Sequence, residues 1–291
     1  IRNSPNVQSS LRKIGVGLGL GFFLFSITII LYLGQTSLVA LTGCLGAIYF
    51  SLHHKFLIAS LFIILASVKP HLSLLPVLYL LIQTRSLHLL VWSSIFVGIT
   101  NVGVIMLGGG LNLLPDFLNS IITHTGHTGN LPYNLPGLYA IMGSMGFNYG
   151  MISIVSAILC LIFLVMLVLL LRKQNTQTNF EPVNNQSLLL IALTFGMTAV
   201  LMPLHITDYV IFFPVIVMLV AIKWYNAIFL LPGILLVIRP NNVANLLHSV
   251  ADMPASSVMV ASVGAVYVTV AIATLVVWES LSFSSHMKET I

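Results

Sequence analysis

Charge is what this sequence most conspicuously lacks. Of 291 residues only 6% are Asp, Glu, Lys or Arg, where a water-soluble domain carries about 25%. Apolar runs of 18 or more residues recur along the chain, which a soluble core does not need. Mean hydropathy is +1.06 and 58% of residues are hydrophobic, so the composition is that of an integral membrane protein. Cysteine is nearly absent too. Cys44 and Cys160 both sit inside apolar runs, which excludes a disulfide framework and a cysteine-based metal centre. The formal net charge of +5 gathers into no basic stripe, so nucleic acid is not an expected partner.

What is present is helical. The apolar segments predict an all-α, polytopic membrane protein with about ten transmembrane or re-entrant helices forming one domain over residues 1–291. The segments are Ile14–Leu33, Thr36–Leu52, Phe56–Val68, Leu72–Ile82, Leu87–Leu107, Met151–Leu171, Leu188–Pro203, Tyr209–Ile222, Ala227–Ile238 and Val258–Trp278. Phe56–Val68 and Leu72–Ile82 are the shortest, and either two short helices meeting at Lys69-Pro70 or a re-entrant hairpin fits them. No internal repeat suggests inverted transporter halves. The chain begins Ile1-Arg2-Asn3, and no cleavable signal precedes the first apolar run.

The few charges orient the chain. With the N-terminus cytoplasmic, nine of the 11 Lys and Arg fall inside: Arg2, Arg12, Lys13, Lys55, Arg85, Arg172, Lys173, Lys223 and Lys288. Only Lys69 and Arg239 fall outside, as the positive-inside rule requires of a correct threading. Both termini are then cytoplasmic, in what is expected to be a plasma (inner) membrane. The large external loop runs over 108–150, a cytoplasmic loop over 172–186, and a second external loop over 239–257. Leu113–Ile122, within the large loop, is amphipathic enough to lie in the interface.

The external residues are candidates for chemistry. Lys69, followed by Pro70 and His71, is a cation at the end of an apolar stretch, suited to a phosphate or to snorkelling toward headgroups. Arg239 offers bidentate phosphate recognition or a headgroup anchor. In Pro203-Leu204-His205-Ile206-Thr207-Asp208-Tyr209, a carboxylate three residues from an imidazole can raise its basicity; Thr207 or Asp208 can equally cap the next helix. His124 and His127 make only a weak metal pattern, and no metal is expected. Asp116, after Pro115, reads as a helix N-cap. Gly34-Gln35-Thr36-Ser37 is a tight external turn.

Three of these stretches, in order, resemble the GT-C membrane glycosyltransferases. They are Leu33-Gly34-Gln35-Thr36-Ser37 followed by the basic turn His53-His54-Lys55, then Ala66-Ser67-Val68-Lys69-Pro70-His71, then Pro203 to Tyr209. The branch they resemble is glycosyltransferase family 87, the polyprenyl-phosphomannose-dependent mannosyltransferases. Asn134-Leu135-Pro136-Gly137-Leu138 is similar to the family's segment closing the large external loop. The resemblance implies a GT-C-like fold and an inverting transfer of a sugar, mannose in that branch, from a polyprenyl phosphate to a lipid or glycan hydroxyl at the outer face.

It also implies roles. By matching position, Lys69 contacts the donor phosphate and His205 and Asp208 line the catalytic cavity. Residue chemistry adds His71 and Arg239 as expected donor-phosphate contacts, makes His205 and Asp208 the expected catalytic pair, and leaves Gln35, Asn134 and Tyr209 expected to line the substrate cavity. No cofactor is implied; the partners are membrane lipids and the lipid-linked sugar. The family's usual catalytic Asp stands in a first external loop, and here Arg2–Lys13 opens directly onto the later spans. That base is therefore expected to lie on a segment not included in these residues, to be lost through a truncated gene, or to come from an additional subunit. Two other readings use the same outer-face groups: a lipid or solute transporter, and a noncatalytic subunit of a membrane complex.

Overall fold

A computed structural model of the chain describes residues 36–109, 115, 119, 130–175, 185–222, 224–251 and 256–288. Among them every regular element is helical. In chain order these are α1 (Ser37–Leu52), α2 (Phe56–Ser67), α3 (Pro70–Thr84), α4 (Leu87–Val104), α5 (Leu138–Ser144), α6 (Tyr149–Asn175), α7 (Asn185–Leu201), α8 (Phe212–Ile222), α9 (Trp224–Ile238), α10 (Pro240–Ala251) and α11 (Ser257–Lys288). A π-turn over Ile105–Gly109 extends α4, and 3-10 turns occupy Pro132–Asn134 and Ile206–Ile211.

The apolar segments read from the sequence fall on these helices, except Ile14–Leu33, which lies outside the described residues. Their status as spans differs from expectation. Among the described residues only Leu87–Leu107, Tyr149–Arg172 and Ser257–Ser280 are long and apolar enough to cross a membrane, or four spans if the bent pair Phe229–Ile238 and Pro240–Val250 is one. Helices α1, α2, α3 and α7 are of 12 to 17 residues. At 1.5 Å per residue they extend roughly 18–26 Å, less than the ~30 Å of hydrocarbon. Lys69 stands between two helices: α2 stops at Ser67, and Pro70 opens α3 at its first position, where a missing N–H costs nothing. Two regions read as external loop also contain helix, α5 and α10.

Helix α7 is the centre. Its Leu189–Phe195 run is buried on every side, the pattern of a helix surrounded by others, and α3, α8 and α11 pack around it. Gly196 makes the α11 contact close, since a Cβ there would stand 2.9 Å from Thr269 Oγ1. Helices α1 and α2 form a tighter pair. A Cβ on Gly43 would meet Ala66 N at 2.3 Å, so the two backbones touch where membrane helices commonly use small residues. By contrast α4 and α6 leave long apolar rows exposed, among them Ile95, Ile99 and Val102 on α4 and Ile154, Ile158 and Leu161 on α6. Such area on one molecule is surface for lipid or for another protein.

Helix direction gathers particular ends. The N-terminus of α1, the α2–α3 junction and the turn between α7 and α8 meet. Helix α8 runs away from that turn and α9 returns. Gly233 and Gly264 approach each other closely, and Tyr267 Oη donates to Phe229 O at 2.9 Å; this pairing makes α9 and α11 antiparallel. The α9–α10 corner and the start of α11 thus lie at the same end as that turn.

Candidate functional site

Lys69 and Asp208 are the centre of that end. Lys69 is buried at 7% exposure and Asp208 at 0%, and the ammonium donates to Asp208 Oδ1 in a direct ion pair. Ser37, at the start of α1, closes a triangle: its hydroxyl donates to the same carboxylate oxygen and accepts from Lys69 Nζ at 2.9 Å. A buried charge persists only when paired and hydrogen-bonded, and this triangle meets both needs with groups from three separate segments.

The second carboxylate oxygen organises the turn. His205 N donates to Asp208 Oδ2 at 3.0 Å, while Asp208 N donates to His205 O at 2.8 Å. This is capping chemistry, an acid three residues along satisfying the open N–H at the start of the 3-10 turn. Of the two roles the sequence allowed Asp208, polarising the His205 imidazole and capping the turn, the backbone bond to His205 supplies capping. The imidazole that faces this oxygen is that of His71, whose Nε2 is 3.9 Å from Oδ2. Thr207 Oγ1 is buried beside them with no hydrogen-bond partner.

A second group of contacts fixes the carbonyl end of α7, just before the Pro203–Asp208 segment. The last four carbonyls of a helix lack internal partners. Tyr209 Oη donates to Ala199 O at 3.3 Å, and Ser156 Oγ from α6 donates to Leu201 O. Gly137, at φ +85°, packs its α-carbon against the same turn: a Cβ would lie 2.6 Å from Val200 O. Its N–H donates to Ser262 Oγ on α11 at 2.9 Å. Asn134-Leu135-Pro136-Gly137 is thereby clamped between α7 and α11. Asn134 itself, half-buried in the 3-10 turn Pro132–Asn134, sits at the near edge of this clamp.

The structure therefore brings Lys69, His71, His205 and Asp208 together. Arg239 is exposed at the corner between α9 and α10, helices that pack on α8 and α11. Tyr209 is a core residue at 2% exposure. Gln35, Asp116, His124, His127 and the Leu113–Ile122 stretch, apart from single positions, lie outside the described residues. Among the described residues no group of three His, Cys, Asp or Glu gathers as a metal site. Ser37 was missed as a site residue. Its only sequence signal was its place after Gly34-Gln35-Thr36, where it reads as a helix start.

Comparison with known families decides the class. The model of glycosyltransferase family 87 matches residues 8–184. The chain belongs to glycosyltransferase family 87. No curated protein and no solved structure matches it. The family 87 match takes in Ser37, Lys69, His71 and the Asn134–Gly137 segment, and it ends before Asp208. The ion pair thus joins a lysine inside the matched region to a carboxylate beyond it. Membership makes this a membrane glycosyltransferase family protein, consistent with its exposed apolar helices.

Proposed function

We propose that the chain transfers a sugar, mannose in the branch it resembles, from a polyprenyl-phosphate donor to a lipid or glycan hydroxyl at the outer membrane face. The observation that carries this reading is the convergence of Lys69, His71 and His205 around the buried Asp208 at one end of an apolar helical bundle. Transfer of this kind needs a cation for the leaving phosphate and a base for the acceptor hydroxyl. The acceptor oxygen bonds to the anomeric carbon as the bond to the phosphate oxygen breaks. The electron pair leaves on the phosphate, and the acceptor proton passes to a base. Lys69, with His71 beside it, meets the phosphate. In this proposal the His205 imidazole takes the proton where the family's usual carboxylate is not supplied.

In this reading Asp208 is a positioning residue. Both of its oxygens are engaged and it is fully buried, so it aims Lys69 and fixes the His205 turn without touching substrate. Tyr209 supports α7 from the core. The GT-C-like arrangement, with the cytoplasmic face carrying the remaining cations, completes the proposal.

The test is transfer of radiolabelled sugar from polyprenyl phosphate by the full-length gene product in membranes. Lys69→Ala and His205→Ala are expected to lower transfer by about 10²-fold or more, with the folded protein retained in detergent. Absence of transfer by the unmutated product, or full transfer by both variants, rejects the reading. A transporter would instead move labelled substrate across vesicles without forming product.

A further inference from the structure

Helix α10 bends away from α9 by 93° and lies at the same end of the bundle as Lys69 and Asp208. Its residues sort by position. Val243, Leu246, Leu247 and Val250 recur at spacings of three and four, the mark of one helix face, while Asn241, Asn242, Asn245, His248 and Ser249 take the opposite side. Pro240 and Ala244 are buried against the bundle, where α10 packs on α9 and α11. Leu246 and Val250 are not: they stand 60% and 77% exposed.

The helix before it leads into this face. Leu231, Leu235 and Arg239 are four apart. Arg239 N donates to Leu235 O at 3.2 Å, so the arginine continues the register of α9. Leu231 and Leu235 are exposed at 44% and 58%, and the stripe they form ends in the guanidinium at the bend. Aliphatic side chains, then a cation, then a helix turned sideways whose polar face is rich in asparagine: this follows the order of acyl chain, phosphate and water across one leaflet.

We propose that α10 lies in the membrane interface beside the transfer site, with Leu246 and Val250 in the acyl region, Asn245 and His248 in water, and Arg239 on lipid phosphates. A helix continuing down into the bilayer fits these residues poorly. It would carry Asn241, Asn242 and Asn245 into hydrocarbon, where uncompensated amides are costly. The consequence is a fixed depth: α10 holds the Lys69–Asp208 end at headgroup level, where a lipid-borne phosphate resides. The proposal rests on the membrane assignment and does not require sugar transfer.

The experiment uses the full chain with Cys44→Ala and Cys160→Ala, carrying one bimane-labelled cysteine at Leu246, Val250 or Asn245. All three positions are exposed, so the labels leave the packed core intact. The protein is reconstituted into phosphatidylcholine–phosphatidylglycerol vesicles containing lipid brominated near the headgroup end of its chains. Strong bromolipid quenching is expected at Leu246 and Val250, and iodide quenching from water at Asn245 alone. Equal iodide quenching at all three sites overturns the proposal, as does protection of Leu246 and Val250 from both quenchers, which would mean a second copy or another protein covers them. Quenching at Val250 only by lipid brominated near the chain terminus also overturns it, since α10 would then descend into the bilayer.

Discussion

Lys69 and Asp208 form a buried ion pair across 139 positions of sequence. Each charge makes the burial of the other tolerable, and Ser37 shares the same carboxylate oxygen. Breaking such a pair from one side leaves an uncompensated buried charge and costs about 3–5 kcal/mol, whereas replacing both partners by apolar groups is often neutral or stabilising. Lys69→Met is therefore expected to lower thermal stability in detergent sharply. The double change Lys69→Met with Asp208→Leu should recover most of that stability and none of the transfer activity. Recovery of transfer along with stability would show that the pair is only structural.

The hydroxyl of Ser37 tests the same site more gently. Ser37→Ala removes one donor to Asp208 and one acceptor for Lys69, for a cost of about 1–3 kcal/mol because charged partners are involved. Unfolding midpoints should fall modestly, while Lys69 stays held by Asp208. Transfer should decline mainly through weaker donor binding, read as a raised KM with kcat largely kept.

Much of this arrangement was legible in the sequence, and the limits have physical reasons. Lys69 stood out because a lysine on the wrong side of the charge balance needs a reason, and Asp208 because it lies three residues from His205 between two apolar runs. Their pairing was not legible: nothing local links Pro70's helix to the turn after α7, and long-range contacts leave no periodic trace. A cap by Thr207 or Asp208 was legible; that the capped residue is His205, with Asp208 three positions along, was not. Helix positions followed from apolar runs, but their length did not make all of them spans. Helix α10 went unseen because its mean hydropathy is low; the signal was the segregation of Val243, Leu246, Leu247 and Val250 from its asparagines.

Tyr209 separates core from cavity. Its ring is buried and its hydroxyl donates to Ala199 O at 3.3 Å. Tyr209→Phe keeps the packing and loses one long hydrogen bond, so a loss of about 0.5–1.5 kcal/mol is expected with transfer nearly unchanged. Tyr209→Ala should cost about 3–5 kcal/mol through the cavity it leaves. A large fall in kcat for the Phe variant at preserved stability would instead place the hydroxyl against substrate.

Gly137 is where the family's loop segment meets the fold. Its φ of +85° disfavours any side chain, and the space where a Cβ would go is held by Val200 O and Ala199 O at 2.6 and 2.8 Å. Gly137→Ala must distort the turn or lift it off α7, at about 2–5 kcal/mol. The lost docking would also free Ser262 and loosen the carbonyl end of α7 on which the His205 turn is built. Reduced transfer should therefore accompany reduced stability, and a Ser262→Ala variant should show a smaller version of both.

Sidedness ties the charge pattern to the site. If the cations oriented the chain, Arg172 at the end of α6 and Met145 before its start lie on opposite faces of the membrane, and Met145 shares the face of Lys69 and Asp208. Both positions are exposed, so single cysteines there should label freely. In intact cells a membrane-impermeant maleimide is expected to modify Met145→Cys and to reach Arg172→Cys only after permeabilisation. The reverse pattern would place the buried ion pair on the cytoplasmic side. A lipid-linked donor presented at the outer leaflet would then be out of reach, and the proposed transfer would fail together with the orientation.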